Sequence, residues 1–234
     1  MLVPEAAAVS EASVYRLALY HCWLGDVVRA GAAAKVTSRE LAEQLGIKEE
    51  TVRRDLSFVS AAGRPGSGYD ITTLFGAIQQ FLGLEDSYPI IRIGSAQMLE
   101  ALAVVFPPDA YGVRPVAYYS ELPGDVGKLV HGIEVRHLTD LPQFENELDV
   151  TVAMVACSPT WVGLTLELLD KAGITGVLLL TPQIRLDKPE GMKIIHVRMP
   201  CDVKSLACQC AMPDLVKSAG AGGAFPTIND VQSR

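Results

Sequence analysis

From residue 88 to residue 200 the sequence alternates short apolar runs with segments of helical period, and this alternation limits the fold more than any other feature. The runs at 150–156 and 176–180 have strand length and no polar side to turn to water, as expected of strands covered on both faces. Strands that alternate with helices join by crossovers into a parallel sheet. Further strands are expected at 114–119 and 193–198.

Residues 10–82 have a different rhythm. Leu17, Tyr20, Leu24 and Val27 recur at helical spacing within a helix expected at 13–29. Thr37-Ser38-Arg39-Glu40 has the form of a capping box opening a helix over 38–45, and Gly46 suits its end. A second helix follows at once, over about 48–60 by the same reading. Helix, glycine turn, helix is the layout of a DNA-reading motif.

In the second helix Val52, Leu56 and Val59 fall on one side and are expected in the core. Lys48, Thr51, Arg53, Arg54 and Ser57 are left on the outer arc. Arginine can pair bidentately with guanine, and serine or threonine can bind phosphates or base edges. An ordinary solvated face remains the alternative, because Glu49, Glu50 and Asp55 share the helix. The run Gly63-Arg64-Pro65-Gly66-Ser67-Gly68-Tyr69 then offers glycines for a tight hairpin with Arg64 near its tip. Such a wing can lie against a sugar–phosphate edge, and Arg64, Gly66, Ser67 and Tyr69 are its candidate contacts.

At these residues the chain resembles the Rex family of redox-sensing repressors. The resemblance runs through Ser10–Leu17, Thr37–Ala42, Val52–Phe58 and the Gly63-Arg64 hairpin. It continues more weakly through Ala172-Gly173-Ile174, Thr181-Pro182 and Pro189-Glu190-Gly191. It implies an α/β protein: an N-terminal winged helix-turn-helix domain, then a Rossmann-like parallel-sheet domain, with a C-terminal helix exchanged in a homodimer. It also implies an inverted-repeat operator in double-stranded DNA and a Rossmann-like domain that binds NAD(H). The expected boundaries are 1–84 for the head, 85–200 for the sensing and dimerisation domain, 201–217 for a cysteine-containing helix and 218–234 for a disordered tail. The second basic residue of the family's wing is replaced here by Pro65.

The nucleotide loop departs from the dinucleotide pattern. Gly-x-Gly-x-x-Gly permits the turn, the approach of pyrophosphate and tight helix packing. The corresponding run is Gly94-Ser95-Ala96-Gln97-Met98-Leu99, which keeps only the first glycine. Ala96 adds a methyl where pyrophosphate should approach, and Leu99 adds bulk where helix should meet sheet. The position of the ribose-binding acid is read as Tyr119, with Glu121 two residues on. Gly94, Ser95, Ala96, Gln97 and Tyr119 are the candidate, degenerate cofactor contacts.

Cysteines supply a second candidate sensor. Cys157 follows a strand at the carboxyl edge of the sheet, and Cys201, Cys208 and Cys210 crowd the C-terminal helix. Four thiolates can ligate an iron–sulfur cluster, although the C-x6-C-x-C spacing matches no standard ferredoxin or zinc pattern. A thiol or disulfide switch is a further alternative, and buried or idle thiols another. On one intact helix Cys201 and Cys208 stand ~10 Å apart along the axis, beyond disulfide reach.

Totals exclude other classes. The chain has 234 residues, 49% hydrophobic and 20% charged, with a net charge of −7 and five cysteines. Positive charge must therefore be concentrated on one face if nucleic acid is the partner. No apolar run approaches the ~20 residues of a membrane span, and the acidic N-terminus lacks the basic region of a signal peptide. The expectation is a cytoplasmic DNA-binding protein rather than an enzyme. An NAD-dependent oxidoreductase with an appended head is the runner-up, disfavoured because no acid/base pair flanks an intact nucleotide loop.

Overall fold

The computed structural model describes residues 9–31, 33–59, 68–84, 87–107, 111–143, 149–182 and 187–211. Two compact units divide between residues 86 and 87.

The first unit is helical. Helix α1 (Glu11–Ala30) starts where the Ser10 side chain accepts the Ser13 N–H and stops at Gly31, whose φ is 59°. Helix α2 (Ser38–Leu45) has the expected capping box. The Thr37 hydroxyl accepts from Glu40 N at 3.1 Å, and Thr37 N donates to the Glu40 carboxylate at 2.7 Å. Gly46 closes α2, and α3 (Glu49–Leu56) follows. Val52, Leu56 and Val59 are buried as expected, with Leu17, Tyr20 and Leu41 in the same core. Each such side chain contributes roughly 1.5–3 kcal/mol by burial. Helix α3 is shorter than its sequence predicts. The Ser57 hydroxyl donates back to Arg54 O at 2.6 Å, and the chain leaves the helix there.

Strands β1 (Lys35–Val36) and β2 (Tyr69–Asp70) pair antiparallel, Val36 opposite Tyr69. Gly68 enters β2 with φ 70°, and a Cβ there would lie 3.0 Å from Val36 O. Most of the expected wing, with Arg64, Gly66 and Ser67, lies outside the described residues. Helix α4 (Ile71–Phe81) completes the unit, capped by Asp70 and burying Ile71, Leu74 and Ile78.

The second unit contains β3 (Tyr88–Gly94), α5 (Ala96–Val105), β4 (Val113–Ser120), β5 (Leu129–Val130), β6 (Ile133–His137), β7 (Val152–Ala156), α6 (Val162–Lys171), β8 (Gly176–Leu179), β9 (Lys193–His196) and α7 (Met199–Ala211). The sheet order is β5-β6-β4-β3-β7-β8-β9, and every pairing except β5–β6 is parallel. Numbered among the parallel strands alone, the order is 3-2-1-4-5-6, that of the doubly wound dinucleotide-binding fold. One sheet face packs Ile91, Ile93 and Val155 with Leu166 and Leu169 of α6, and the other packs Tyr118 with Leu99 of α5.

Candidate functional site

The head displays its candidate residues on α3. Lys48, Arg53, Arg54 and Ser57 are exposed and Thr51 is half-buried. Arg53 is already engaged. It donates to Glu49 Oε1 at 2.5 Å and to Ser38 Oγ at 3.3 Å, and Ser38 also donates to Glu49 at 3.1 Å. The Arg53–Glu49 pair is largely open to water, so it contributes only about 0.3–0.5 kcal/mol. A bidentate guanine contact, at ~1–3 kcal/mol of discrimination, outweighs it. Arg54 has no side-chain hydrogen bond or ion pair among the described residues. Tyr69 is half-buried against the helical core, so packing holds part of a side chain expected at the DNA.

Asp55, an apparent surface charge in the sequence, is fully buried. It accepts Arg16 Nε at 2.6 Å, Arg16 Nη2 at 2.7 Å and the Tyr20 hydroxyl at 2.9 Å. Its hydrogen bonds hold the Arg16 guanidinium above its ordinary pKa. The buried carboxylate ties α3 to α1 and fixes the azimuth at which Arg53 and Arg54 stand out. The signal was the i, i+3 spacing of Asp55 from Val52.

In the second unit, the β3–α5 turn is where a dinucleotide fold holds pyrophosphate. The structure brings Gly94, Ser95, Ala96 and Gln97 to it. A Cβ on Gly94 would lie 3.2 Å from Ala156 O on β7, so this glycine serves the approach of neighbouring strands. Ser95 caps α5 by accepting Met98 N at 3.2 Å. Ala96 is buried, Gln97 is exposed, and Leu99 is fully buried with Tyr118, Val130 and Val135.

The Ala96 N–H donates to Asp125 Oδ2 at 2.8 Å. The same oxygen accepts the Ser120 hydroxyl at 3.0 Å, and Lys128 Nζ reaches Oδ1 at 2.7 Å. Lys128, the Ala96 amide and the Ser120 hydroxyl together hold this carboxyl below its ordinary value of 3.8, against a smaller opposing effect of burial. Ser120 ends β4, and its oxygen also accepts Leu122 N at 3.1 Å, bending the following loop over the turn. The Asp125 carboxylate therefore faces the helix N-terminus. A pyrophosphate on that amide would lie against Asp125, and two unit charges ~4 Å apart repel by about 4 kcal/mol at an effective dielectric of 20. The residues present do not fit a dinucleotide in the usual pose. Tyr119, read as the ribose-binding position, is instead fully buried in the core on the α6 side. Asp125 was missed because it lies five residues beyond the strand end.

The cysteines are dispersed. Cys157 is buried, 3.5 Å from Thr165 Oγ1, and burial pushes its thiol up from the ordinary value. Its carbonyl accepts the Thr181 hydroxyl at 2.6 Å, and Thr181 O accepts His196 Nε2 at 3.0 Å, which joins the ends of β7, β8 and β9. Cys201, Cys208 and Cys210 are exposed on the single helix α7. The iron–sulfur expectation requires four converging thiolates, and a continuous helix spreads three of them. Among the described residues no three His, Cys, Asp or Glu side chains are grouped to hold a metal.

A family model described as "Putative DNA-binding protein N-terminus" matches residues 8–57, which span α1 to α3. The redox-sensing transcriptional repressor Rex of Streptomyces coelicolor is 30% identical over 224 residues, covering 96% of this chain and 86% of that protein. The chain belongs to the Rex family. The Rex of Clostridium botulinum is 27% identical over 201 residues, covering 86% of this chain and 95% of the relative. Two solved structures of RSP, a Rex-family repressor, share the fold. One, RSP alone, has a TM-score of 0.73 at 22% identity over 89% of this chain and 97% of that one. The other, in complex with beta-NAD+ and operator DNA, has a TM-score of 0.75 at 23% identity over 89% and 95%. The Rex relatives are named as repressors, not enzymes. No helix among the described residues is long and apolar enough to cross a membrane.

Proposed function

We propose that this chain is a redox-responsive transcriptional repressor: a homodimer whose two heads read an inverted repeat in double-stranded DNA, with the sheet unit as sensing and dimerisation part. The observation that carries this reading is α3 itself. Its apolar side is locked into the head by Val52, Leu56 and Asp55, and its other side presents Lys48, Thr51, Arg53, Arg54 and Ser57 together. The N-terminal half of such a helix enters the major groove, and Arg64, Gly66, Ser67 and Tyr69 of the expected wing are the proposed contacts to the flanking backbone. Dimerisation is supported by α7, whose Met199, Val203 and Leu206 recur at helical spacing yet are 56%, 66% and 53% exposed. Two heads then meet half-sites about one helical turn, or a multiple of it, apart. The expected boundaries, 1–84, 85–200, 201–217 and 218–234, belong to this reading.

The test is operator selection from a random duplex library with full-length protein. Recovery of one palindrome, bound by dimers in preference to random duplex, supports the reading. Monomers with no sequence preference at moderate salt defeat it.

A second reading concerns the signal. Cys201 and Cys208 stand on the side of α7 opposite the Met199–Val203–Leu206 stripe, so oxidation of these thiols is the alternative to NAD(H) as the redox input. Oxidant titration of operator binding checks it: Cys208→Ser is expected to abolish the response and leave binding by the reduced protein unchanged.

A further inference from the structure

The oxygens of Asp125 stand where a ligand's phosphate would stand in a fold of this strand order. We propose that Asp125 is a built-in occupant of the anion position at the N-terminus of α5, which closes the nucleotide loop to a dinucleotide pyrophosphate.

Four observations converge. Asp125 Oδ2 takes the first amide of α5, from Ala96, at 2.8 Å, so the donor a phosphate oxygen would use is satisfied. The Asp125 side chain is only 10% exposed and its carboxylate carries three hydrogen bonds, so it is held rather than passing. Ser120, at the end of β4, donates its hydroxyl to the same oxygen, so this strand end supports the occupant. Finally, the chain has lost the second and third glycines of the phosphate-binding pattern to Ala96 and Leu99, both buried. A loop that no longer receives phosphate has no need of the clearance those glycines give.

The charges agree with the geometry. The positive end of α5 is neutralised from within by Asp125, and Asp125 in turn by Lys128. A pyrophosphate arriving there would have to expel a carboxylate and repel it while doing so. On this view the redox input of the repressor reaches it by some route other than dinucleotide bound across this turn. The assignment rests on the fold of the second unit and not on the DNA-reading proposal.

Two probes test it on full-length protein at constant ionic strength: NADH, followed by nicotinamide fluorescence, and inorganic pyrophosphate, followed by melting temperature. Wild type is expected to show no saturable response to either. Asp125→Ala uncovers the Ala96 amide and is expected to gain saturable stabilisation by pyrophosphate, with affinity at least ~10-fold above wild type. Asp125→Ser, which keeps a small polar group beside Ser120, is the second variant should alanine fail to fold. Saturable NADH binding by wild type overturns the assignment, because the carboxylate then yields to the ligand. No gain in either folded variant overturns it too, because Asp125 is then not what closes the loop. Operator binding by the same wild-type preparation is measured beside these, so that loss of the DNA reading and loss of this assignment register separately.

Discussion

Arg53 and Arg54 are neighbours in sequence but not in situation. Arg53 is shared with Glu49 and Ser38, whereas Arg54 stands free among the described residues. Arg54→Ala or Arg53→Ala is expected to weaken operator binding, by ~1–3 kcal/mol where the lost contact is a guanine, measured by titration against operator and base-substituted duplexes. Glu49→Gln removes a negative charge from the N-terminal turn of α3 and loosens Arg53. Binding to random duplex is expected to rise more than binding to operator, which lowers the specificity ratio. Asp55 belongs to a different class. Asp55→Ala strands Arg16, only 20% exposed, beside a buried Tyr20 hydroxyl. The expected cost is about 3 kcal/mol in chemical denaturation, with DNA binding lost as a consequence.

Among the elements, α7 is the one whose sequence and surroundings disagree. Every described residue of it is exposed or half-exposed although it carries an apolar stripe, and a helix with such a stripe is stable only when covered. Leu206→Asp is expected to shift sedimentation from dimer toward monomer and to weaken operator binding in parallel. An unchanged dimer would place the subunit contact elsewhere. Helix α4 illustrates the opposite case. Its signals are local, the Asp70 side chain accepting Thr73 N and the helical spacing of Ile71, Leu74 and Ile78, and the structure shows a helix that the sequence reading did not assign. Strands β5 and β6 were less legible, because Gly132 and the short run at 133–137 give little periodicity.

At the scale of the whole molecule, a net charge of −7 must coexist with a DNA-binding face. Affinity for operator is therefore expected to fall linearly with the logarithm of salt concentration, the slope counting the phosphates neutralised. Stability should also depend on acidity through Asp125. Its folded-state pKa is lowered, so its contribution is fully present above the ordinary carboxylate value of 3.8 and is lost as pH falls through the folded value. Thermal melts of wild type and Asp125→Ala from neutral to acid pH should therefore converge at the acid end. Equal separation at every pH would mean that the carboxylate carries no such role.

The sequence alone determined the helix-turn-helix, the strand–helix alternation beyond residue 88 and the buried side of α3, because periodicity and capping are local: Thr37 and Glu40 find each other three residues apart, and Val52 and Leu56 four apart. It also placed the damage to the glycine pattern at Ala96 and Leu99. Only the tertiary structure decided what stands in the damaged turn and what holds the reading helix. Asp125 meets Ala96 across 29 residues and Asp55 meets Arg16 across 39. A carboxylate's partner at that separation is set by where two crossovers or two helices bring the backbone, and no local pattern in the chain encodes that meeting.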